Sequence, residues 1–187
     1  MFLGIDLGTS EMQVLLLSSD GLIVGTACHP LDISRPRPRW SEQDPEDWWR
    51  ATHTALSALR EKYPDAYARI QTIGLSGQMH GAVLLDANDR PLRPAILWND
   101  MRSINECDEL TARAPKLHEI AGNCAMPGLA APKLLWIARH EPEHFQKNGV
   151  RPAAERLLAS ALDRYKAHRP IRCIGNPLAR RRAPRVV

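Results

Sequence analysis

One aspartate stands inside a short run of small and hydroxyl-bearing residues near the beginning of the chain. Residues 4–10 read GIDLGTS, with Asp6 closing an apolar stretch and Gly8, Thr9 and Ser10 following it. Small residues let such a turn present backbone N–H groups to an anion. Because a carboxylate repels a phosphate unless a cation lies between them, Asp6 indicates Mg²⁺ held against a nucleotide phosphate. The alternative is an ordinary hairpin with a polar turn.

A second polar turn interrupts an apolar region further along the chain. Gly77 and Gly81 flank the triplet Gln78, Met79 and His80. Glutamine and histidine can both hydrogen-bond hydroxyl groups, and methionine supplies an adaptable apolar wall. Such a set fits a polyol, whereas a histidine in a turn is, taken alone, more often simply solvated.

A third polar group follows a short apolar strand predicted at about residues 94–97. It contains Trp98, Asn99, Asp100 and Arg102. An aromatic ring beside amide, carboxylate and guanidinium groups is a usual way to bind a sugar or a phosphate. A helix N-cap by the asparagine or the aspartate, with the arginine at the surface, explains the same residues equally well.

Alternating apolar residues predict the strands that carry these turns. A meander is expected at about 2–7, 12–18 and 22–29, and two further strands at 70–75 and 82–85. Strands mixed with helical patterns indicate an α/β fold.

Helix signals follow the strand signals. Asp44 caps a predicted helix that has Pro45 at its first position, and its stripe of Trp48, Ala51, Thr52, Ala55 and Leu59 is expected to pack on the sheet. We expect Trp48 to lie in the core rather than stack on a sugar. Two more helices are predicted at about 102–114 and 132–140.

The apolar segments and the cysteine spacing of the sequence indicate a cytoplasmic protein. No apolar run approaches 18 residues, and no basic segment precedes a signal-like stretch. The four cysteines show no CxxC spacing, so free thiols are expected rather than a zinc site or a disulfide framework.

In this order the segments resemble the FGGY family of carbohydrate kinases, over about residues 1–147. The matching stretches are GIDLGTS, RPRPRWSEQDPEDWW, GLSGQMHGAVLLD, RPAILWNDMR and GNCAMPGLAAPKLLWIARHEPEHF. The GQMHG and WND.R motifs resemble the ketopentose-phosphorylating members, whereas glycerol kinases carry charged residues in place of Met79 and His80.

The resemblance implies an actin-like, ribonuclease-H-like fold and ATP-dependent phosphorylation of D-xylulose, or a related ketose, at its terminal hydroxyl. It gives Asp6 a catalytic role with Mg²⁺ and the phosphates, and gives Met79 and His80 contacts to the sugar. Glu11, Gln13 and Met101 depart from the usual family residues, so nucleotide or sugar binding is expected to be weaker.

Family members run to roughly 500 residues in two domains, and the resemblance puts the aspartate that acts as general base beyond position 187. Because loss of a general base costs about 10²- to 10⁴-fold in rate, we expect negligible turnover from this chain alone. We also expect an incomplete sheet, marginal stability and a tendency to aggregate.

After about residue 147 both the resemblance and the composition change. Residues 151–187 contain ten basic and two acidic side chains, so their net charge of +8 exceeds the +4 of the whole chain. Residues 153–158 can be written in codons that read LPKDYL one base later, and residues 173–180 in codons that then read ASGTRWL. The family carries LPKDYL and a DAAGT.WLD-like segment at this spacing. We therefore expect 1–147 to be a partial kinase domain and 148–187 to be out-of-frame sequence.

Three hypotheses follow from the sequence. The first is a sugar-kinase fragment, the second a non-enzymatic sugar- or nucleotide-binding module, and the third an interaction protein that uses its basic tail on nucleic acid or acidic partners. Under the first two, no specific nucleic-acid or membrane partner is expected.

Overall fold

A five-stranded mixed sheet with helices packed against it organises the chain. The computed structural model describes residues 1–147 and the backbone of residues 172–174. Within them the strands are β1 (Phe2–Leu7), β2 (Glu11–Leu17), β3 (Ile23–Pro30), β4 (Glu42–Gln43), β5 (Thr72–Gly77), β6 (Ala95–Ile96) and β7 (Arg172–Ile174).

The large sheet has the order β3-β2-β1-β5-β7, and β4 pairs with β6 separately. Strands β1, β2 and β3 form an antiparallel meander, whereas β1 and β5 are parallel. Because β1 and β5 run in the same direction, the turns that follow them leave the sheet at the same edge.

Helices cover the sheet and support the second half of the described region. They are α1 (Pro45–Lys62), α2 (Pro64–Ala68), α3 (Ile104–Arg113), α4 (Leu117–Ala121), α5 (Ala130–His140) and α6 (Pro142–Lys147). Helix α1 packs on β2 and β3 and supplies much of the main core. Its buried stripe contains Trp48, Ala51, Thr52, Ala55 and Leu59, as the sequence predicts.

The three strands of the meander are confirmed to within one residue of their predicted ends, and α1 begins at Pro45, as predicted. Asp44 precedes α1, and its Oδ1 accepts a hydrogen bond from the Glu46 N–H at 2.9 Å. Helices α3 and α5 confirm the other two predicted helices, with ends that lie within two residues of the predicted ones.

The strand predicted at 82–85 is wrong. Ala82 forms an isolated bridge to Ile96, and Leu85 forms another to Pro91. Residues 82–85 are buried, which explains the apolar run. Their two bridges go to different parts of the chain, one to Ile96 and one to Pro91. No ladder of consecutive pairs can therefore form there.

Strand β7 pairs in parallel with β5 along residues Thr72, Ile73 and Gly74 of β5. The predicted open edge is thus partly paired, and the expected aggregation remains a prediction. Apart from the β7 backbone, the basic segment 148–187 lies outside the described residues.

Two further findings bear on the sequence expectations. Cys28, Cys107 and Cys124 are free thiols, as predicted. No helix in the described part of the chain is both long and apolar enough to cross a membrane.

Candidate functional site

The turn after β1 has a backbone that only glycine accommodates at one position. Gly8 donates its N–H to the Glu11 carbonyl at 3.0 Å, and a Cβ on Gly8 would lie 2.8 Å from that oxygen. The glycine therefore closes the hairpin, and its amide is not available to an anion. Of the three turn residues that the sequence predicts for phosphate, Thr9 and Ser10 remain.

Asp6 stands on β1 with its side chain exposed, between buried Ile5 and Leu7. Magnesium commonly takes only one or two protein carboxylates and fills its remaining positions with water and substrate phosphates. One exposed carboxylate beside a polar turn fits that pattern. Among residues 1–147, no three His, Cys, Asp or Glu side chains are grouped so as to hold a metal by themselves.

The turn after β5 lies directly beside the turn after β1. Gln78 donates its N–H to the Leu7 carbonyl at 2.7 Å, and its side chain is only 7% exposed. Met79 and His80 follow on the same turn, and both side chains are exposed. The backbone of His80 is left-handed, with φ of 59°. The two turns that the sequence singles out for phosphate and for sugar are therefore neighbours.

Side chains of Thr9, Gln43 and Gln78 form a closed ring of hydrogen bonds between these turns, here called the amide ring. Thr9 Oγ1 donates to Gln78 Oε1 at 3.2 Å, and Gln78 Nε2 donates to Gln43 Oε1 at 3.0 Å. Gln43 Nε2 completes the ring by donating to the Thr9 carbonyl at 2.7 Å. Indole groups bond the ring at two points: Trp98 Nε1 donates to Thr9 Oγ1, and Trp48 Nε1 to Gln43 Oε1, both at 3.0 Å.

Trp98 brings the third predicted segment to the same place, since its 42% exposed ring reaches Thr9 from the end of β6. Asn99 comes next and is half-buried. Its Oδ1 is shielded from solvent and has no hydrogen-bond partner among the described residues. Met79, His80 and Trp98 are thus exposed around the two turns, as are Asp6 and Ser10.

Asp100 and Arg102 instead point into the interior. The carboxylate of Asp100 is fully buried and accepts hydrogen bonds from the Ser41 N–H at 2.6 Å and from the Arg102 Nε at 2.9 Å. The guanidinium of Arg102 lies 3.6 Å from the centroid of the Trp40 ring. These contacts favour a role in holding the β6–α3 connection, not the ligand contact that the sequence predicts for both residues.

Glu42, next to Gln43 on β4, joins this buried ion cluster. Arg102 NH1 lies 2.7 Å from Glu42 Oε1, and Arg93 pairs with both Glu42 and Glu141. Burial lowers the pKa of Arg93, and the two glutamates oppose that effect. The cluster fixes β4, and with it the position from which Gln43 enters the amide ring.

The sequence does not predict Lys133 as a site residue, although a lysine on the apolar face of a helix is unusual. It shares the apolar stripe of α5 with Trp136 and Ile137 and is fully buried. Its Nζ donates to the carbonyls of Gly128 at 2.7 Å and His80 at 3.0 Å. Burial lowers the pKa of Lys133 from 10.5 to about 8. A lysine on a buried helix face therefore holds the backbone of the His80 turn.

The chain belongs to the FGGY family of carbohydrate kinases, because the sequence model of that family's N-terminal domain matches residues 1–162. The match extends past the boundary at 147 that the composition predicts.

The curated and solved relatives that it resembles are mainly xylulose kinases. The xylulose kinase of Escherichia coli K12 is 53% identical over 147 residues, covering 79% of this chain and 30% of that protein. The crystal structure of a xyloylose kinase from Brucella ovis superposes with a TM-score of 0.82 at 50% identity, covering 84% of this chain and 33% of that one. Xylulose kinase from Rhodospirillum rubrum gives a TM-score of 0.79 at 31% identity, with the same two coverages.

These neighbours confirm the predicted actin-like α/β fold of sugar kinases. The chain spans about a third of the length of the relatives that it matches.

Proposed function

We propose that this chain forms the sugar-facing and phosphate-facing part of an ATP-dependent ketose kinase, with D-xylulose as the substrate. The observation that carries the proposal is the direct contact between the two turns. Gln78 bonds to the Leu7 carbonyl, and Trp98 bonds to Thr9, so groups suited to a polyol lie next to groups suited to a phosphate. The similarity to xylulose kinases supports the choice of sugar.

In this proposal the exposed side chains of Met79, His80 and Trp98 receive the ketose. The imidazole and the side chain of Gln78 hydrogen-bond its hydroxyls, while methionine and the indole ring cover its carbon face. Thr9 and Ser10 face the phosphates. Asp6 would hold Mg²⁺, which neutralises phosphate charge when it is bound.

Phosphoryl transfer requires that the terminal hydroxyl of the sugar bond to the γ-phosphorus while the bond to the ADP oxygen breaks. The hydroxyl proton must pass to a base. The family resemblance implies that this base is an aspartate beyond position 187. We therefore propose that this chain alone binds the ketose and turns it over negligibly.

Calorimetric titration of the purified chain with D-xylulose tests the proposal. We expect binding in the wild type and an affinity about tenfold lower in His80→Ala, since one or two hydrogen bonds to the sugar are lost. His80→Asn separates the loss of the imidazole from backbone strain, because asparagine tolerates positive φ. His53→Ala, at an exposed position of α1, is the matched control. Equal affinities in all four proteins would contradict the proposed site.

We also propose that residues 148–187 are translated out of frame. The proposal rests on their change of charge and on the two kinase-like segments that one shifted frame can encode. The nucleotide sequence of the locus tests it directly. A shifted frame that continues as a kinase domain is the expected result, and a shifted frame without one would contradict it.

A further inference from the structure

The direction of every hydrogen bond in the amide ring is fixed by its two tryptophans. An indole N–H can only donate, so the atom of Gln43 that faces Trp48 is its oxygen, and its NH₂ group faces the Thr9 carbonyl. Trp98 likewise donates to the Thr9 hydroxyl, which leaves that hydroxyl's own proton for Gln78. The ring therefore has a single consistent arrangement.

Gln43 is held in this arrangement from several sides. It is 3% exposed and pairs with Ala95 across β4 and β6, which leads into Trp98. Its neighbour Glu42 is anchored by the buried arginines. A buried amide with all of these bonds has no second low-energy orientation, because any rotation leaves polar atoms without partners.

The ring joins groups that would touch different substrates. Trp98 faces the proposed sugar, and the buried Gln78 directly precedes the sugar-facing Met79 and His80, whereas Thr9 belongs to the proposed phosphate turn. If Gln78 turns to bond a sugar hydroxyl, or if the indole of Trp98 tilts, the bond to Thr9 changes as well. Gln43 accepts a hydrogen bond from Gln78 and donates one to the Thr9 carbonyl. A movement of Gln78 is therefore also transmitted to the backbone of Thr9.

We propose that Gln43 is a positioning residue that couples the sugar-facing turn to the phosphate-facing turn, so that a bound ketose fixes Thr9 for the nucleotide phosphate. This inference rests on the proposed sugar binding. By linkage, a phosphate group bound at Thr9 then strengthens ketose binding by the same factor. The effect requires no movement of the sheet, since both turns already share the ring.

The first test uses the full chain without ligand and records the indole N–H resonances of its tryptophans by NMR. In Gln43→Glu the acceptor for Trp48 is retained, but a carboxylate oxygen replaces the donor to Thr9. In Gln43→Met the ring is removed. We expect the Trp98 indole resonance to move in both variants, although the hydrogen bonds of Gln43 go to Thr9, Trp48 and Gln78 and not to Trp98.

Thr52→Val is the matched control, because Thr52 is fully buried and bonds the Trp48 carbonyl at 2.7 Å outside the ring. We expect it to leave the Trp98 resonance in place. An unchanged Trp98 resonance in folded Gln43 variants would overturn the proposal. If Gln43→Met does not fold, Gln43→Glu alone decides the outcome, because it keeps the size and the buried acceptor.

The second test adds D-xylulose. In the wild type we expect the Trp98 indole and the Thr9 amide resonances to shift together along the titration. In the Gln43 variants the Trp98 shift should persist, while the Thr9 shift falls at least fivefold. Equal Thr9 shifts in wild type and variants would overturn the coupling. No response of Trp98 in the wild type would instead count against the proposed sugar site. The ligand-free spectra would still decide whether Gln43 links Trp98 to the other members of the amide ring.

Discussion

Replacing Lys133 by methionine should remove the pH dependence that this buried lysine gives to stability. Lys133 carries a pKa of about 8, below its ordinary value of 10.5, chiefly because burial disfavours the charged ammonium. Asp100 opposes this effect and Arg102 adds to it. Between these two pKa values the unfolded chain binds one proton more than the folded chain, so the free energy of unfolding of the wild type rises with pH.

The size of the effect follows from the two pKa values. One pKa unit corresponds to about 1.4 kcal/mol, so the full difference is about 3 kcal/mol, and partial screening by solvent reduces it to about 2 kcal/mol. The neutral amine keeps two N–H groups, which suffice for the carbonyls of His80 and Gly128. Deprotonation therefore removes the cost of the buried charge without removing these hydrogen bonds.

Urea unfolding at pH 7 and pH 10 measures this difference. We expect the wild type to gain about 2 kcal/mol relative to Lys133→Met across that interval. Comparison with the variant cancels the cysteine and tyrosine titrations that both proteins share. Lys116→Met, at an exposed lysine, should follow the wild type. A constant difference between wild type and Lys133→Met at the two pH values would refute the reasoning.

Two stability predictions test the support of the site. Arg102→Leu leaves the carboxylate of Asp100 buried without its guanidinium partner, so urea unfolding should show a loss of about 3–5 kcal/mol, against less than about 1 for the exposed Arg50→Leu. A loss below about 1 kcal/mol for Arg102→Leu would contradict the buried ion pair. Gly8→Ala places a Cβ against the Glu11 carbonyl, so thermal unfolding should begin several degrees lower. An unchanged melting temperature would show that the hairpin relaxes freely.

Local sequence signals were sufficient for the elements that carry the site. The meander has alternating apolar residues, and Asp44 with Pro45 marks the beginning of α1, because capping and period-two burial depend on near neighbours. The sequence also identified the turns at Gly8 and Gln78, each of which follows a strand. That those turns are adjacent follows from the parallel pairing of β1 with β5.

Side-chain direction at the third segment could not be predicted in this way. Asp100 and Arg102 point inward because Trp40 and Trp136, from distant parts of the chain, enclose the guanidinium. The role of Gln43 could not be predicted either, since its partners Thr9, Trp48 and Gln78 come from three separate segments. The lysine on the apolar stripe of α5 was visible in the sequence, but its partners are backbone carbonyls that no side-chain pattern reveals.

A crystal structure of the chain grown with D-xylulose would test the central claim most directly. The account predicts sugar density over the turn after β5, with a hydroxyl within hydrogen-bond distance of His80 or Gln78 and the carbon face against Trp98. Sugar bound elsewhere on the molecule, or an empty turn at saturating D-xylulose, would contradict it.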